Sequence, residues 1–340
     1  MLDADVMRDL SVKHMSFSSI ECMHKNPYWF MKSYVYQEYS NETRSTAVEG
    51  TCLHYGLEMF YGIPTEKRRL LSLDEWYEAI LKGAMDKLAF FEREALENPA
   101  KAIIYPETGS REEMIKNITQ ACKNASFSID YSLVPIALEG SITEYVKDPQ
   151  TWALINFLLK AKTDYVWYIQ GEDWLVEIVD YKLVSWTLID EIEPSHKIQL
   201  GIYYLAWSAF LEWKWLKVKR WVVKKFLRTA PKTKSYLKDE LLDKCAMNGI
   251  PYTPKDTVDS LKQKLLDACV IENLPVSIDC IMDFDSEDGQ KHIHIAAHRF
   301  KWAVWTLYLM ETVNFPLNYN IADEWTWRET YNDMVLDLFI

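Results

Sequence analysis

The spacing of apolar residues along this chain changes period several times, and each change marks a new element. Ser18 is placed to cap a short helix, Pro27 to start a second, and Phe30 and Tyr34 begin an apolar stripe on it. From Ala47 to Gly62 the residues Leu53, Leu57 and Phe60 share one helical face, with His54 at its edge. Residues 73–127 read as helical, first from Asp74 through Ile80 to Phe91 and again from Glu112 to Ser126. The period then falls to two. Ile136 to Val146 is a strand carrying Glu139 and Glu144, and Trp152 to Lys160 is a short helix or an extended apolar segment. Asp164–Ile169 and Trp174–Tyr181 form a β-hairpin around the turn Gln170-Gly171-Glu172-Asp173. Pro194 opens a helix that Ile198, Ile202, Leu205 and Ala209 bury against the sheet, and Val218–Leu227 is the closing strand.

The last third carries two further patterns. Residues 234–270 contain two amphipathic helices, the first stopped by Asn248-Gly249. Ile278–Phe284 and His292–Ala296 read as a late hairpin around Ser286-Glu287-Asp288-Gly289, Phe300–Val313 as a helix, and the tail from Phe315, with Trp325 and Trp327, as a segment that packs back onto the domain.

With 340 residues, of which 49% are hydrophobic and 14% aromatic, the chain has material for one large core with insertions. No apolar run is long enough to span a bilayer and the start lacks the pattern of a signal peptide, so a cytoplasmic protein without membrane contact is expected. The six cysteines are scattered without a Cys-x-x-Cys pair and read as buried thiols. A net charge of −12 argues against indiscriminate coating of nucleic acid. The average hides a segregation, because Lys214 to Lys234 is a run of bases without an acid. Its members Lys217, Lys219, Arg220, Lys224, Lys225 and Arg228 are the candidate phosphate-tracking surface, although a solvated edge strand also uses lysines.

The candidate chemistry lies in the hairpin. Alternation puts Asp180 and Lys182 on one face of its second arm, and cross-strand pairing brings Asp164 beside them. An isolated Asp-x-Lys is more often the wet face of an edge strand, by about ten to one, since short motifs recur by chance. Here the pair follows Leu175, Val176, Ile178 and Val179, the signature of a buried strand, where an unpartnered charge is costly. Two carboxylates there suit a hard divalent cation, and the lysine can steady an attacking hydroxide or the charge developing on a phosphorane. Gln199 and Tyr203, one turn apart on the following helix, are by themselves an ordinary polar edge.

The order of motifs resembles the RecB-like branch of the PD-(D/E)XK nuclease superfamily, which includes CRISPR-associated RecB-like nucleases, the AddB nuclease domain and phage exonucleases. The resemblance covers roughly residues 16–228. It rests on Ser16-Phe17-Ser18, Asn26-Pro27 through Phe30, Gly50-Thr51-Cys52-Leu53-His54, Ala161 through Asp164, Asp180-Tyr181-Lys182, and Gln199 with Tyr203. Ala161 stands where the family usually has glycine.

The resemblance implies an α/β fold with a restriction-endonuclease-like core: a central mixed β-sheet flanked by helices, formed by residues 1–233 and 271–340, with a helical insertion at about 65–130. It implies Mg²⁺ or Mn²⁺ held by His54, Asp164, Asp180 and the carbonyl of Tyr181, with Lys182 in the catalytic position and Gln199 and Tyr203 supporting the substrate or the geometry of the site. Some relatives carry an iron-sulfur cluster; Cys245, Cys269 and Cys280 are too far apart for its close cysteine set, so none is expected. The unit at 234–270 resembles the SAP or HeH type of DNA-binding helical hairpin, with a plain structural insertion as the other reading. The implied activity is a metal-dependent DNA exonuclease of recombination, repair or replication, of the kind phages encode, whose partners are DNA and a single-strand annealing or recombination protein. The alternatives are action on RNA, a structure-specific endonuclease, and a non-catalytic DNA-binding protein that kept the fold.

Overall fold

A computed structural model describes residues 10–37, 43–106, 109–185, 187–253 and 255–312. The tail from Phe315, with Trp325 and Trp327, lies outside the described residues. The described chain begins with a short strand, β1 (His14–Ser16), and helix α1 (Phe17–Lys25). Ser16, not Ser18, is the cap: its hydroxyl accepts from Ser19 N–H while the Ser19 hydroxyl accepts from Ser16 N–H. Helix α2 (Pro27–Phe30) starts at its proline, as expected, and runs into a π-helical turn at Met31–Val35. After β2 (Thr43–Arg44) come α3 (Ser45–Tyr61), α4 (Thr65–Arg68) and α5 (Leu73–Glu97), then β3 (Ile103–Ile104) and α6 (Arg111–Ser126). The long strands are β4 (Pro135–Lys147), β5 (Leu154–Ile169) and β6 (Glu172–Val184). Helix α7 (Pro194–Glu212) crosses over to β7 (Lys217–Leu227), and α8 (Lys238–Met247), α9 (Val258–Asp267), β8 (Ser277–Asp283) and α10 (Glu287–Thr312) complete the order.

The main sheet is mixed, with the order β1-β5-β6-β7-β8 and β4 on the other edge of β5. The pairs β1–β5 and β6–β7 are parallel, the latter joined through α7, and the rest are antiparallel. Alternation along the central strands feeds two cores. Ile178, Trp221 and Val223 face a layer that includes α1, α7 and α10, while Val179, Tyr181, Val222 and Phe226 face α3, α5 and α6. The helices of 65–130 share that second core with α3 and the sheet. They dock closely: a Cβ on Gly56 of α3 would meet the carbonyl oxygen of Ile80 in α5 at 2.4 Å, so that contact requires glycine.

Of the two readings of Trp152–Lys160 the extended one holds, since Leu154 to Lys160 are strand, continuous with Asp164–Ile169 in one sixteen-residue β5. Two other expected elements change. Strand β7 is not the closing strand, because β8 pairs along its outer edge from Arg220↔Asp283 to Phe226↔Ser277. His292–Ala296 lies inside α10, not in a hairpin arm. The alternating His292-Ile293-His294-Ile295 imitates a strand, yet the buried set Ile293, Ala296, Ala297, Phe300, Val304 and Leu307 has helical spacing and wins.

Residues 234–270 branch out between β7 and β8. Helices α8 and α9 enclose a small core of their own from Leu241, Cys245, Leu261, Leu265 and Ile271. The stem is clasped by a Thr233↔Asn273 bridge and a 2.6 Å bond from Leu274 N–H to the Lys232 carbonyl. No described helix is long and apolar enough to cross a membrane. Four cysteines are buried and Cys22 is half-buried, but Cys269 is exposed just beyond α9, against the expectation of buried thiols throughout.

Candidate active site

Strand β5 has a neighbour on each edge, and one edge is shared. Along it, β1 pairs up to Ser16↔Lys160 and β6 pairs from Tyr165↔Val179 onward, while β4 runs along the opposite edge. Between Lys160 and Tyr165 the sheet forks. At the fork the side chain of Asp164 takes over from the backbone ladder: its Oδ2 accepts from Tyr181 N–H at 2.7 Å. Helix α3 delivers His54 to the same place, because the buried stripe of Leu53 and Leu57 fixes the helix and leaves residue 54 on its margin. His54 Nδ1 is 3.2 Å from Asp164 Oδ1 and Nε2 is 2.7 Å from the Tyr181 carbonyl oxygen. Both ring nitrogens thus meet acceptors, a geometry that a doubly protonated imidazolium satisfies fully.

The next residues of β6 alternate about this point. Asp180 and Lys182 stand in register with Val223 and Lys225 of β7, on the side facing α7. The buried Asp180 carboxylate pairs with Lys182 Nζ at 2.8 Å. From α7, Gln199 Nε2 donates to the Tyr203 hydroxyl at 2.9 Å, and the Tyr203 ring lies 5.3 Å from that of Trp221 on β7.

Charge coupling sets the protonation of the cluster. Burial alone pulls the His54 imidazole down, but the Asp164 carboxylate, by charge and hydrogen bond, outweighs it and the pKa is pushed up to about 9. Burial likewise works against ionised Asp164, whose contacts with His54 and the Tyr181 N–H nevertheless hold it below the usual carboxylate range. Asp180 is raised to about 6 by burial and by the neighbouring Asp164 charge, with Lys182 opposing. Burial disfavours the Lys182 ammonium, but Asp180 reverses this and the pKa rises, so the ammonium persists.

One acid at the fork was not among the expected site residues. Glu139 of β4 stands where the register between Leu138↔Tyr165 and Gly140↔Thr163 places it opposite Asp164. Single ligand atoms from His54, Glu139 and Asp164 lie within 4.8 Å of one another. Glu139 also pairs with Lys162 Nζ at 2.7 Å, and its φ of 46° is left-handed, a conformation that costs a non-glycine residue energy. Its place on the strand was readable from the sequence; its partner across the sheet needed the β4–β5 register. The structure thus brings together His54, Asp164, Asp180, Tyr181, Lys182, Gln199 and Tyr203, and adds Glu139.

The basic run takes a different shape from a bare cationic face. Lys217 pairs with Asp285, Lys219 with Asp283 and Asp285, Lys224 with Asp279, Arg220 with Glu177 and Arg228 with Glu49, at 2.6 to 3.1 Å. Lys225 is buried and donates to the carbonyls of Ile189 and Glu191. Each of the six already has a partner within the chain.

No curated protein matches the chain. The family model described as the PD-(D/E)XK nuclease superfamily matches residues 14–277, which include the fork and every side chain around it. A mixed sheet between helices, with Asp164 and the Asp180-Tyr181-Lys182 strand converging at its fork, agrees with that match. The chain belongs to the PD-(D/E)XK nuclease superfamily.

Proposed function

We propose that this protein is a divalent-metal-dependent deoxyribonuclease of the RecB-like kind, acting as an exonuclease in DNA recombination, repair or replication. The observation that carries the reading is the fork at Asp164, where an imidazole, carboxylates, a backbone carbonyl and an ammonium meet at one opening in the sheet. The donor set fits a hard cation: carboxylate and carbonyl oxygens suit Mg²⁺ and Mn²⁺, and one imidazole is compatible with the latter. The residues that would hold it are His54, Glu139 and Asp164, whose ligand atoms lie within 4.8 Å of one another, with the Tyr181 carbonyl beside His54 and the Asp180 carboxylate next along β6. When bound, such an ion supplies Lewis acidity toward the phosphate and a lowered pKa for water.

The chain's own groups do the rest. Asp180 holds the Lys182 ammonium in place, and Lys182 meets negative charge as it develops on the phosphoryl oxygens. Gln199 and Tyr203, hydrogen-bonded to each other, form the wall opposite β6 and orient the strand being cut. Ionised Asp164 fixes His54 on one side and Tyr181 on the other, so the spacing of the donors is set before substrate arrives. Retention of Asp164, Asp180 and Lys182 together favours catalysis over a relic fold that only binds DNA.

The test is incubation with end-labelled linear, nicked and circular DNA in Mg²⁺ or Mn²⁺ and in chelator. Loss of linear DNA with circles intact is the expected result. Cleavage of circles would replace the exonuclease reading with an endonuclease, and an inert protein under all conditions would overturn the catalytic reading.

A further inference from the structure

We infer that His196, in the first turn of α7, contacts the substrate by hydrogen bonding to the phosphodiester that flanks the scissile one. The inference rests on the nuclease reading above and names a further substrate contact of that site.

His196, Gln199 and Tyr203 are spaced i, i+3 and i+7, which places them on one stripe of α7. That stripe faces the β6–β7 side bearing Asp180 and Lys182, since the Tyr203 ring packs at a tilt against Trp221 and Trp221 shares its face of β7 with Val223 and Lys225. Lys182 and Lys225 are register neighbours on the two strands. Lys225 is fastened to the carbonyls of Ile189 and Glu191, in the loop leading into α7, so its charge lies under the start of the helix.

The imidazole itself is underused by the fold. The His196 side chain is 30% exposed, so its ring is within reach of substrate; its Nδ1 is secluded and without a hydrogen-bond partner, with the carboxylate of Glu193 3.9 Å away, beyond hydrogen-bond reach, and the contact to substrate therefore falls to the other ring nitrogen. Three charged groups act on the ring: the ammoniums of Lys182 and Lys225, and the exposed Glu193 carboxylate. Burial first, then Lys182, lowers its pKa despite Glu193. A neutral ring between two cations lacks an anion. The scissile phosphate belongs over Asp164, Asp180 and Lys182, and His196 sits three residues, about 4.5 Å along the helix axis, before Gln199. It therefore meets the next phosphate along the strand.

The test is a cycle between protein and DNA. Oligonucleotides carry one uncharged methylphosphonate at successive linkages around the cleaved position, and single-turnover kcat/KM is measured for the wild type, His196→Ala and His196→Gln. A hydrogen bond to a charged group corresponds to about a 10- to 100-fold loss on removing either side. The wild type should lose that factor at one flanking linkage. His196→Ala should show the loss already on unmodified DNA and almost no further loss at that linkage, whereas His196→Gln, which keeps a donor, should recover part of the dependence. A purely structural role would lower every rate alike and leave the methylphosphonate pattern unchanged in His196→Ala, which would overturn the assignment, as would a variant as fast as wild type. Absence of cleavage of unmodified DNA by the wild type would overturn the nuclease reading and this contact with it.

Discussion

Metal binding at the fork should expel a proton, and the structure sets how strongly. The ring of His54 faces two acceptors, the Asp164 carboxylate and the Tyr181 carbonyl, and its pKa is about 9. A nitrogen given to a cation must first lose its hydrogen, which at pH 7 costs about 2.7 kcal/mol, two pH units at about 1.4 kcal/mol each. The affinity for Mn²⁺ should therefore rise about tenfold per pH unit from about pH 6 to about pH 9 and level off above it. Below about pH 6 the slope should steepen as Asp180, raised to about 6, also takes up a proton. Calorimetric titration with Mn²⁺ at pH 7.5, repeated in buffers of different ionisation enthalpy, counts the protons: about one per cation for the wild type and none for His54→Gln. In the metal-free protein the sign reverses. His54 is raised in the fold, so its stabilisation is complete below its unfolded pKa of about 6.5 and is lost as pH climbs through about 9. Melting temperature should fall across that window without metal and recover with Mn²⁺. Tight Mn²⁺ binding with no proton released at pH 7.5 would refute the reasoning.

Other outcomes follow from single contacts. Replacing Lys182 by alanine should lower single-turnover cleavage by about two to three orders of magnitude, as loss of a group aimed at developing charge does, while a thermal melt still shows a cooperative fold; wild-type rates would remove Lys182 from the site. Chelator should abolish cleavage and added Mg²⁺ or Mn²⁺ restore it, measured on end-labelled DNA, with undiminished cleavage in chelator counting against a metal enzyme. If β7 tracks DNA, the double change Asp279→Asn with Asp285→Asn should free Lys217 and Lys224 while Lys219 keeps Asp283, and the slope of log affinity against log salt should steepen by up to about 0.9 for each freed cation that reaches a phosphate of duplex DNA; an unchanged slope places the DNA elsewhere. Excising residues 234–270 across the clasp at Thr233 and Asn273 should weaken DNA binding and leave metal-dependent cleavage of short oligonucleotides measurable, whereas unchanged affinity would make the unit a plain insertion.

Much of the site was readable because it depends on local periodicity. Asp180 and Lys182 follow a buried apolar run, and alternation alone puts them on one face. His54 was readable as the margin of an apolar helical stripe and gained weight from the motif order. What could not be read is what depends on register. Glu139 meets Asp164 only through the β4–β5 pairing, and the acids that neutralise the basic strand come from β6, β8, the turn after β8 and α3. The short β1 offers three residues, too few for a pattern, yet without it the fork would have one prong. The misplaced late hairpin arose where four alternating residues were weighed against a helical stripe extending far beyond them.

The left-handed backbone of Glu139 has an evolutionary consequence. Glycine there would relieve a cost of about 1 kcal/mol and remove a carboxylate from beside Asp164, so selection for durability alone would favour the smaller residue. A Glu139→Gly protein should melt higher than its parent and cut DNA more slowly. If the glutamate serves the reaction, laboratory selection for heat resistance without a cleavage screen should lose it early.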